Sequence, residues 1–517
     1  MTTTQINHAT PATKARGWTR TAGALLSAAA AGLALALMMP RGPMTSAQSL
    51  TALTLGLAVG VLAGWLMASR WAALLAPATF GAAFEIGRIG AVGPTVDAIR
   101  LDGLYGILAL IVGRGFDVLV VGLPMVVAAF WGAALARRQH RDESAESGDG
   151  QPASAGGSAF WRAARGTSLV LATVVVVVLG AALARPASTD PILDANGAPL
   201  TGSIAELTTV PIGGHAQRIM LRGNDVEAPV LLFLEGGPGG TALGSMHYAG
   251  KPLEEHFTVA TWDQRGTGKS ASALEPLDTL TVAQAVSDTI EVTEYLRDRF
   301  DEERIYLLGS SWGTTLGTLV VQARPDLFHA YIGSGQMVDQ QETDTLMYAE
   351  SVDYAQRVGD TGFAEQLRAI GPPPYTDMLA YPVAIASNPE WHDFTHGPDH
   401  DARSTYPANL LVEEYTLTEK VRSAAALIDT FALMYPQLQD VDFRRDVPRL
   451  DVPVFIVEGA HEAPGRAVLA RQWFELLSAP SKHLVTFESS GHTPHLHEPG
   501  RFAAYLADVV LAQTYPH

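Results

Sequence analysis

The chain has 517 residues, 47% hydrophobic and only 17% charged, with a formal net charge of −18 and no cysteine. The lack of cysteine excludes disulfide scaffolds, thiolate metal sites, iron–sulfur clusters and a cysteine nucleophile, and so low a charged fraction points to sequence lying in lipid. The charge is unevenly spread: residues 1–189 hold 14 basic and 8 acidic residues and 190–517 hold 21 and 45, so two modules are expected, and the acidic one is a poor partner for nucleic acid.

Residues 1–189 read as a membrane region. Uncharged apolar runs at Ala22–Met39, Leu50–Ser69, Val118–Ala136 and Thr167–Ala184 are each 18 to 20 residues long, the length that roughly 30 Å of hydrocarbon requires. A cleaved leader would account for the first run alone, so it cannot explain the region. A weaker run, Trp71–Ile89, is interrupted by Glu85 and Arg88. Lys14, Arg16 and Arg20 place the N-terminus in the cytoplasm, where Arg70 and the cluster Arg137, Arg138, Arg141, Arg162 and Arg165 also belong. That parity needs a crossing between Arg70 and Val118, so about five transmembrane helices are expected. Leu101–Gly113, short and flanked by Arg100 and Arg114, reads as interfacial or re-entrant, or else as the missing span. Gln139–Ser158, rich in Ser, Gly and acids and without Phe, Tyr or Trp, reads as a disordered cytoplasmic loop. Glu85, Asp117 and the nearby arginines lie near span ends, where charges snorkel to the interface more often than they line a transport path. The topology predicts a multi-pass protein of the cell membrane with everything after Arg185 on the extracytoplasmic side.

After a linker at Pro186–Leu200 the pattern alternates strands and helices. Strands are expected at Ile219–Arg222, Val230–Leu234, Phe257–Trp262, Arg304–Leu308, Ala330–Ile332, Val452–Val457 and His483–Phe487, and helices at Val282–Phe300, Gly313–Ala323, Arg466–Leu477 and Arg501–Leu511. Such βα alternation predicts an α/β fold, a mostly parallel sheet covered by helices, with chemistry in the loops at the carboxyl ends of the strands. The polar, Tyr-rich stretch 338–450 breaks the alternation and reads as an inserted helical cap. It divides the core into a first part at 190–337 and a second at 451–517.

Taken in chain order, the loops carry the chemistry. Glu235-Gly236-Gly237-Pro238-Gly239-Gly240 follows the strand Val230–Leu234, and stacked glycines there allow close backbone approach and positive φ. Gly237 is the expected oxyanion donor, with Gly236 next. Trp262–Ser270 (WDQRGTGKS) lacks the G-x-x-x-x-G-K-[ST] spacing of a phosphate loop. Gly309-Ser310-Ser311-Trp312-Gly313 fits G-x-S-x-G between a buried strand and a helix, which exposes the central Ser311 as nucleophile and turns the Trp312 N–H toward the oxyanion. With 49 glycines in the chain a chance match is easy, so the strand–turn–helix setting carries that assignment. A base and an acid should follow in the order Ser, acid, His. Glu462, in Glu458-Gly459-Ala460-His461-Glu462, is the expected acid, with Glu458 second. His492, in Ser490-Gly491-His492-Thr493-Pro494, is the expected base. His495 and His497 beside it offer a metal cluster as a weaker reading, since no carboxylate at helical spacing supports it.

The motifs EGGPGG, WDQRGTGKS, GSSWG and SGHTPH, in this order and spacing over about 200–517, resemble the proline iminopeptidase family of α/β-hydrolases. The resemblance implies Ser311 as nucleophile, His492 as general base, Glu462 as acid, Gly237 and Trp312 as the oxyanion hole, and a helical cap over the site. Two residues depart from the family pattern: Glu235 stands where the family has His, and Glu462 where Asp is usual. The family's cap carboxylates hold a substrate amine, and Glu342, Asp344, Glu350, Asp353, Glu413 and Glu414 are available here, none in an alignable motif. The expectation is a membrane-anchored serine aminopeptidase releasing N-terminal residues from short peptides through an acyl-enzyme, without metal or organic cofactor. A serine esterase or amidase acting on small molecules, and a non-catalytic sensor, are the alternatives.

Overall fold

The computed structural model describes residues 11–101, 103–146, 159–405 and 408–516. They divide into two compact units, one built from the chain up to Ile99 with Leu110–Arg185, the other from Arg100–Ala109 and the chain from Pro186 onward.

The first unit is helical. Its helices are α1 (Pro11–Met38), α2 (Ser46–Met67), α3 (Ala72–Gly87), α4, which starts at Leu104, belongs to this unit from Leu110 and runs to Glu146 through two π-turns, Ile111–Gly115 and Val118–Gly122, and α5 (Ala159–Ala184). Thr45 starts α2 with a capping box in which its side chain accepts the Gln48 N–H and the Gln48 side chain accepts the Thr45 N–H. Among the described residues, four stretches are long and apolar enough to cross a membrane, namely Gly17–Met38, Ser46–Met67, Leu104–Asp142 and Gly166–Ala184. The 16 residues of α3 reach about 24 Å, short of a full crossing. Leu101–Gly113, expected as a separate segment, is continuous with the next span from Leu104 onward, where both belong to α4. The chain bridges Gly113-Arg114-Gly115 with a π-turn, and Arg114 is satisfied by Glu85 (3.1 Å) and by the carbonyls of Thr95, Val96 and Asp97. Glu85 also pairs with Arg88, so these charges close a polar clasp instead of lining a path. Of the expected loop Gln139–Ser158, residues 139–146 continue α4 and 147–158 lie outside the described residues.

Gly56, Gly60 and Gly64 form a seam along α2 that lies against α4. A Cβ at Gly60 would sit 2.3 Å from the Met125 carbonyl oxygen and one at Gly64 2.1 Å from that of Ala129, while on α4 a Cβ at Gly132 would sit 2.2 Å from that of Val61. Small residues at this spacing let helix backbones meet, which is how apolar helices associate where the hydrophobic effect gives no drive. Gly180 on α5, by contrast, has nothing within 4 Å of its missing Cβ. Gly60→Ala is therefore expected to destabilise the helical unit by about 1–3 kcal/mol and Gly180→Ala to be neutral or stabilising, as read by thermal unfolding in detergent. Equal effects would contradict the seam.

The second unit is an eight-stranded sheet in the order β1-β2-β4-β3-β5-β6-β7-β8. Its strands are β1 (Ile204–Ile212), β2 (His215–Gly223), β3 (Val230–Leu234), β4 (Thr258–Asp263), β5 (Ile305–Ser310), β6 (Phe328–Ser334), β7 (Val454–Gly459) and β8 (Lys482–Phe487). β1 and β2 are antiparallel to their neighbours and all the other pairings are parallel. β1 falls where no strand is expected. It pairs with β2 through a two-residue turn at Gly213-Gly214, both at positive φ (54° and 79°), the conformation that matches strand twist in a tight hairpin. β3 reads as unbroken apolar sequence because both its faces are covered: Val230, Leu232 and Leu234 enter one core cluster and Leu231 and Phe233 the other. Around the sheet lie α6 (Val282–Phe300), α7 (Trp312–Ala323) and, between β6 and β7, the helical insertion that includes α8 (Gln340–Val358) and α9 (Leu417–Met434). α10 (Pro464–Leu476) follows β7 and α11 (Pro499–Tyr505) follows β8. The fold is that of an α/β-hydrolase with a mostly parallel sheet.

Candidate active site

Four loops at the carboxyl ends of β3, β5, β7 and β8 bring the expected residues to one end of the sheet. Ser311 occupies the turn from β5 into α7 at φ 53°, ψ −121°, a strained conformation for a residue with a side chain. The turn closes only because its flanks are glycine: a Cβ at Gly309 would lie 2.4 Å from the Gly313 carbonyl oxygen and one at Gly313 2.0 Å from that of Leu234. The Ser311 N–H donates to the Ser334 carbonyl (3.1 Å), which pins the turn to β6.

The glycine loop after β3 presses on this serine, since a Cβ at Gly236 would sit 3.0 Å from Ser311 Cβ and 3.5 Å from its Oγ. The two candidate donors in the loop are not equivalent. The Gly236 N–H donates to Glu235 Oε1 at 2.7 Å, whereas the N–H groups of Gly237 and Trp312 have no protein acceptor among the described residues. Two such donors beside a hydroxyl are suited to hold an oxyanion.

His492 follows β8, and its Nδ1 lies 2.5 Å from Glu462 Oε2. The other carboxylate oxygen accepts the Ala463 N–H (2.8 Å) and lies 3.4 Å from an Arg466 nitrogen. Burial by itself raises the Glu462 carboxyl, but His492, Arg466 and the Ala463 N–H outweigh it and hold the group down at about 2. Glu462 therefore stays ionised and fixes the imidazole with Nδ1 toward it. That leaves Nε2, which is buried without a protein partner and makes no hydrogen bond to Ser311 in this state, as the atom available to move a proton. Glu458 is turned away: it is bound by Arg471 at 2.7 and 2.9 Å. His495 is buried against Ser334 Oγ (3.2 Å), and His497 accepts the Gly491 N–H (3.1 Å). Burial pushes both imidazoles down to about 3, and among the described residues no group of His, Asp and Glu is arranged to hold a metal ion.

The motif after β4, without chemistry of its own in the sequence, proves to be the brace of the site. Gln264 Nε2 donates to the Glu235 carbonyl (3.1 Å) and Gln264 Oε1 accepts the Trp312 indole N–H (3.0 Å), tying the glycine loop to the serine turn. Arg265 is buried in a two-pronged pair with Asp288 (2.7 and 3.0 Å). Asp263, which burial pushes up to about 7, accepts the Lys269 N–H (2.8 Å) and the Tyr415 hydroxyl (3.0 Å), while Lys269 Nζ reaches Glu419 (2.7 Å). The core is thereby fastened to the start of α9, whose Leu427 and Thr430 pack on Gly239.

The cap acids fall into distinct settings. Glu342 pairs with Arg444 (2.5 Å). Asp344 is fully buried under the hydroxyls of Tyr435 (2.8 Å) and Tyr381 (3.1 Å), and burial pushes it up to about 6. Glu350 lies beside Gly465 at the start of α10, with burial raising its carboxyl. Asp353 and Glu413 are exposed, and Glu414 is buried against His247 (2.8 Å) and Thr189 (2.8 Å).

Two supporting residues, Gln264 and Arg466, are missed by sequence reasoning. The i,i+4 spacing of Arg466 from Glu462 was the available signal for the second. Arg466 places a positive charge beside Glu462, so Arg466→Met removes a charge that opposes the His492 imidazolium and moves the acid limb of kcat/KM to higher pH. A shift of about 0.5–1 pH unit is expected, with Arg466→Lys nearer wild type; an unmoved limb would exclude that role.

Residues 229–499 match the alpha/beta hydrolase fold family, and the chain belongs to it. It is 33% identical over 311 residues to "Probable aminopeptidase YbaC" of Bacillus subtilis (strain 168), covering 59% of this chain and 96% of that protein. It is 27% identical over 289 residues to "Probable proline iminopeptidase" of Leptolyngbya boryana, covering 52% and 83%. Among solved structures, the proline iminopeptidase of Mycobacterium smegmatis aligns with a TM-score of 0.41 at 20% identity, covering 60% of this chain and 98% of that one. The similarity to these curated aminopeptidases spans 311 and 289 residues, and the chain is an aminopeptidase-like hydrolase.

Proposed function

We propose that the chain is a membrane-anchored serine aminopeptidase that releases N-terminal residues from short peptides. The observation that carries this reading is the pairing of His492 with an ionised Glu462 while Nε2 is left without a partner, at the same end of the sheet as the strained Ser311 turn and two unused N–H donors. In the proposed cycle His492 takes the Ser311 proton as the hydroxyl oxygen attacks the scissile carbonyl carbon, and Glu462 stabilises the imidazolium. The N–H groups of Gly237 and Trp312 hold the oxyanion, each contributing about 3–4 kcal/mol to the transition state. His492 then returns the proton to the leaving amine, an acyl-enzyme forms on Ser311, and water releases the product by the same steps.

The membrane side of the proposal rests on charge. Arg137, Arg138 and Arg141 near the end of α4 and Arg162 and Arg165 near the start of α5 flank one loop, which the positive-inside rule assigns to the cytoplasm. α5 then carries the chain across, and the hydrolase unit faces the extracytoplasmic side of a multi-pass protein. Hydrolysis of alanine and proline naphthylamides, compared with their N-acetylated forms and with nitrophenyl esters, tests the reaction. Turnover of the free-amine amides alone supports the aminopeptidase, and ester turnover alone makes the chain an esterase.

A further inference from the structure

We propose that Glu235, the residue that opens the glycine loop, anchors the substrate's protonated α-amine and thereby makes the site selective for free amino termini; this rests on the aminopeptidase reading and assigns its amine contact. Glu235 immediately precedes Gly236, which lies against the Ser311 side chain, and stands two residues before the unused Gly237 N–H. Its side chain folds back along the loop: Oε1 accepts the Gly236 N–H at 2.7 Å, and Cγ lies 3.1 Å from where a Gly240 Cβ would be. The carboxylate is thus held on the loop that forms one wall of the site, and its second oxygen takes no protein donor among the described residues.

Glu235, like Asp344 in the cap, has no cation paired with it among the described residues. The fold gives a basic partner to each of several buried acids: Arg222 to Glu254, Arg265 to Asp288, His247 to Glu414, Arg471 to Glu458, and His492 with Arg466 to Glu462. Among the described residues none pairs with Glu235, and burial accordingly raises its carboxyl. A lone carboxylate near the Gly237 and Trp312 donors opposes the negative charge that builds there during attack. A substrate cation at the same place removes that opposition and adds an ion pair. In a free N-terminal residue the ammonium nitrogen lies two bonds, about 2.5 Å, from the scissile carbonyl carbon, so it arrives with the carbonyl. An N-acylated peptide or a simple ester carries no such charge and leaves Glu235 uncompensated.

The test compares Glu235→Gln with wild type as the full chain in detergent, using alanine β-naphthylamide, its N-acetyl form and p-nitrophenyl acetate. Glutamine can still accept the Gly236 N–H, so the loop keeps its internal bond. The proposal predicts a roughly 10- to 100-fold loss of kcat/KM on the free-amine amide, carried mainly by KM, an unchanged or higher kcat/KM on the ester, and partial rescue by Glu235→Asp. Parallel losses on amide and ester would reduce Glu235 to a structural part of the loop and overturn the proposal. A wild-type enzyme that treats free and acetylated amides alike would overturn the aminopeptidase reading itself, a result visible before any variant is made.

Discussion

Ser311→Ala is expected to lower kcat on any substrate the chain hydrolyses by about 10⁴- to 10⁶-fold, because in the proposed cycle it removes the one atom that forms the acyl-enzyme bond. The neighbouring Ser310 is a matched control. It is buried at the end of β5 with a hydroxyl that lacks a protein partner, so Ser310→Ala should stay within a fewfold of wild type. Alanine at 311 still has to adopt φ 53°, but that strain is present in the parent, so the fold should persist and a thermal melt should confirm it. Loss of activity at 310 and retention at 311 would reverse the assignment.

Glu462→Gln is expected to lower kcat by about 10⁴-fold, the cost of leaving the base without the charge that fixes its tautomer and stabilises its protonated form. Glu458→Gln should leave kcat within about threefold, since that carboxylate faces Arg471 and not His492. Any cost should appear in stability instead and be modest, because the Arg471 left behind is exposed to solvent. Steady-state kinetics and melts on the two variants separate the roles, and the reverse pattern would make Glu458 the acid.

The site was legible in the sequence where chemistry and backbone geometry coincide. Gly309 and Gly313 admit no side chain because the strand–turn–helix crossing leaves no room, and the same crowding marks the loop at Gly236–Gly237, so motif spacing was enough to locate the turn that carries Ser311 and the glycine loop beside it. His492 and Glu462 followed from the order of strands. What escaped was tertiary. Gln264 looks like an ordinary polar loop residue, and its bridge between Trp312 and Glu235 exists only once β3, β4 and β5 are side by side. β1 carries a Pro211 and mixed polarity, so its alternation is weak; the informative signal was the Gly213-Gly214 pair that makes the hairpin. In the helical unit, composition revealed apolar length but not continuity. Arg114 made Leu101–Gly113 read as a separate short segment, and the helix continued past it through a π-turn because Arg114 found Glu85 and three carbonyl groups. The seam of Gly56, Gly60 and Gly64 was present in the sequence, and its partner α4 became visible only in the fold.

The central claim is that Ser311 is the nucleophile that His492 and Glu462 activate. It is tested most directly by incubating the full chain with a fluorophosphonate and mapping the adduct by peptide mass spectrometry. The account predicts a single stoichiometric adduct on Ser311, formed far more slowly when Glu462 is replaced by Gln. An enzyme that hydrolyses peptides yet carries no adduct, or carries it at another serine, would contradict it.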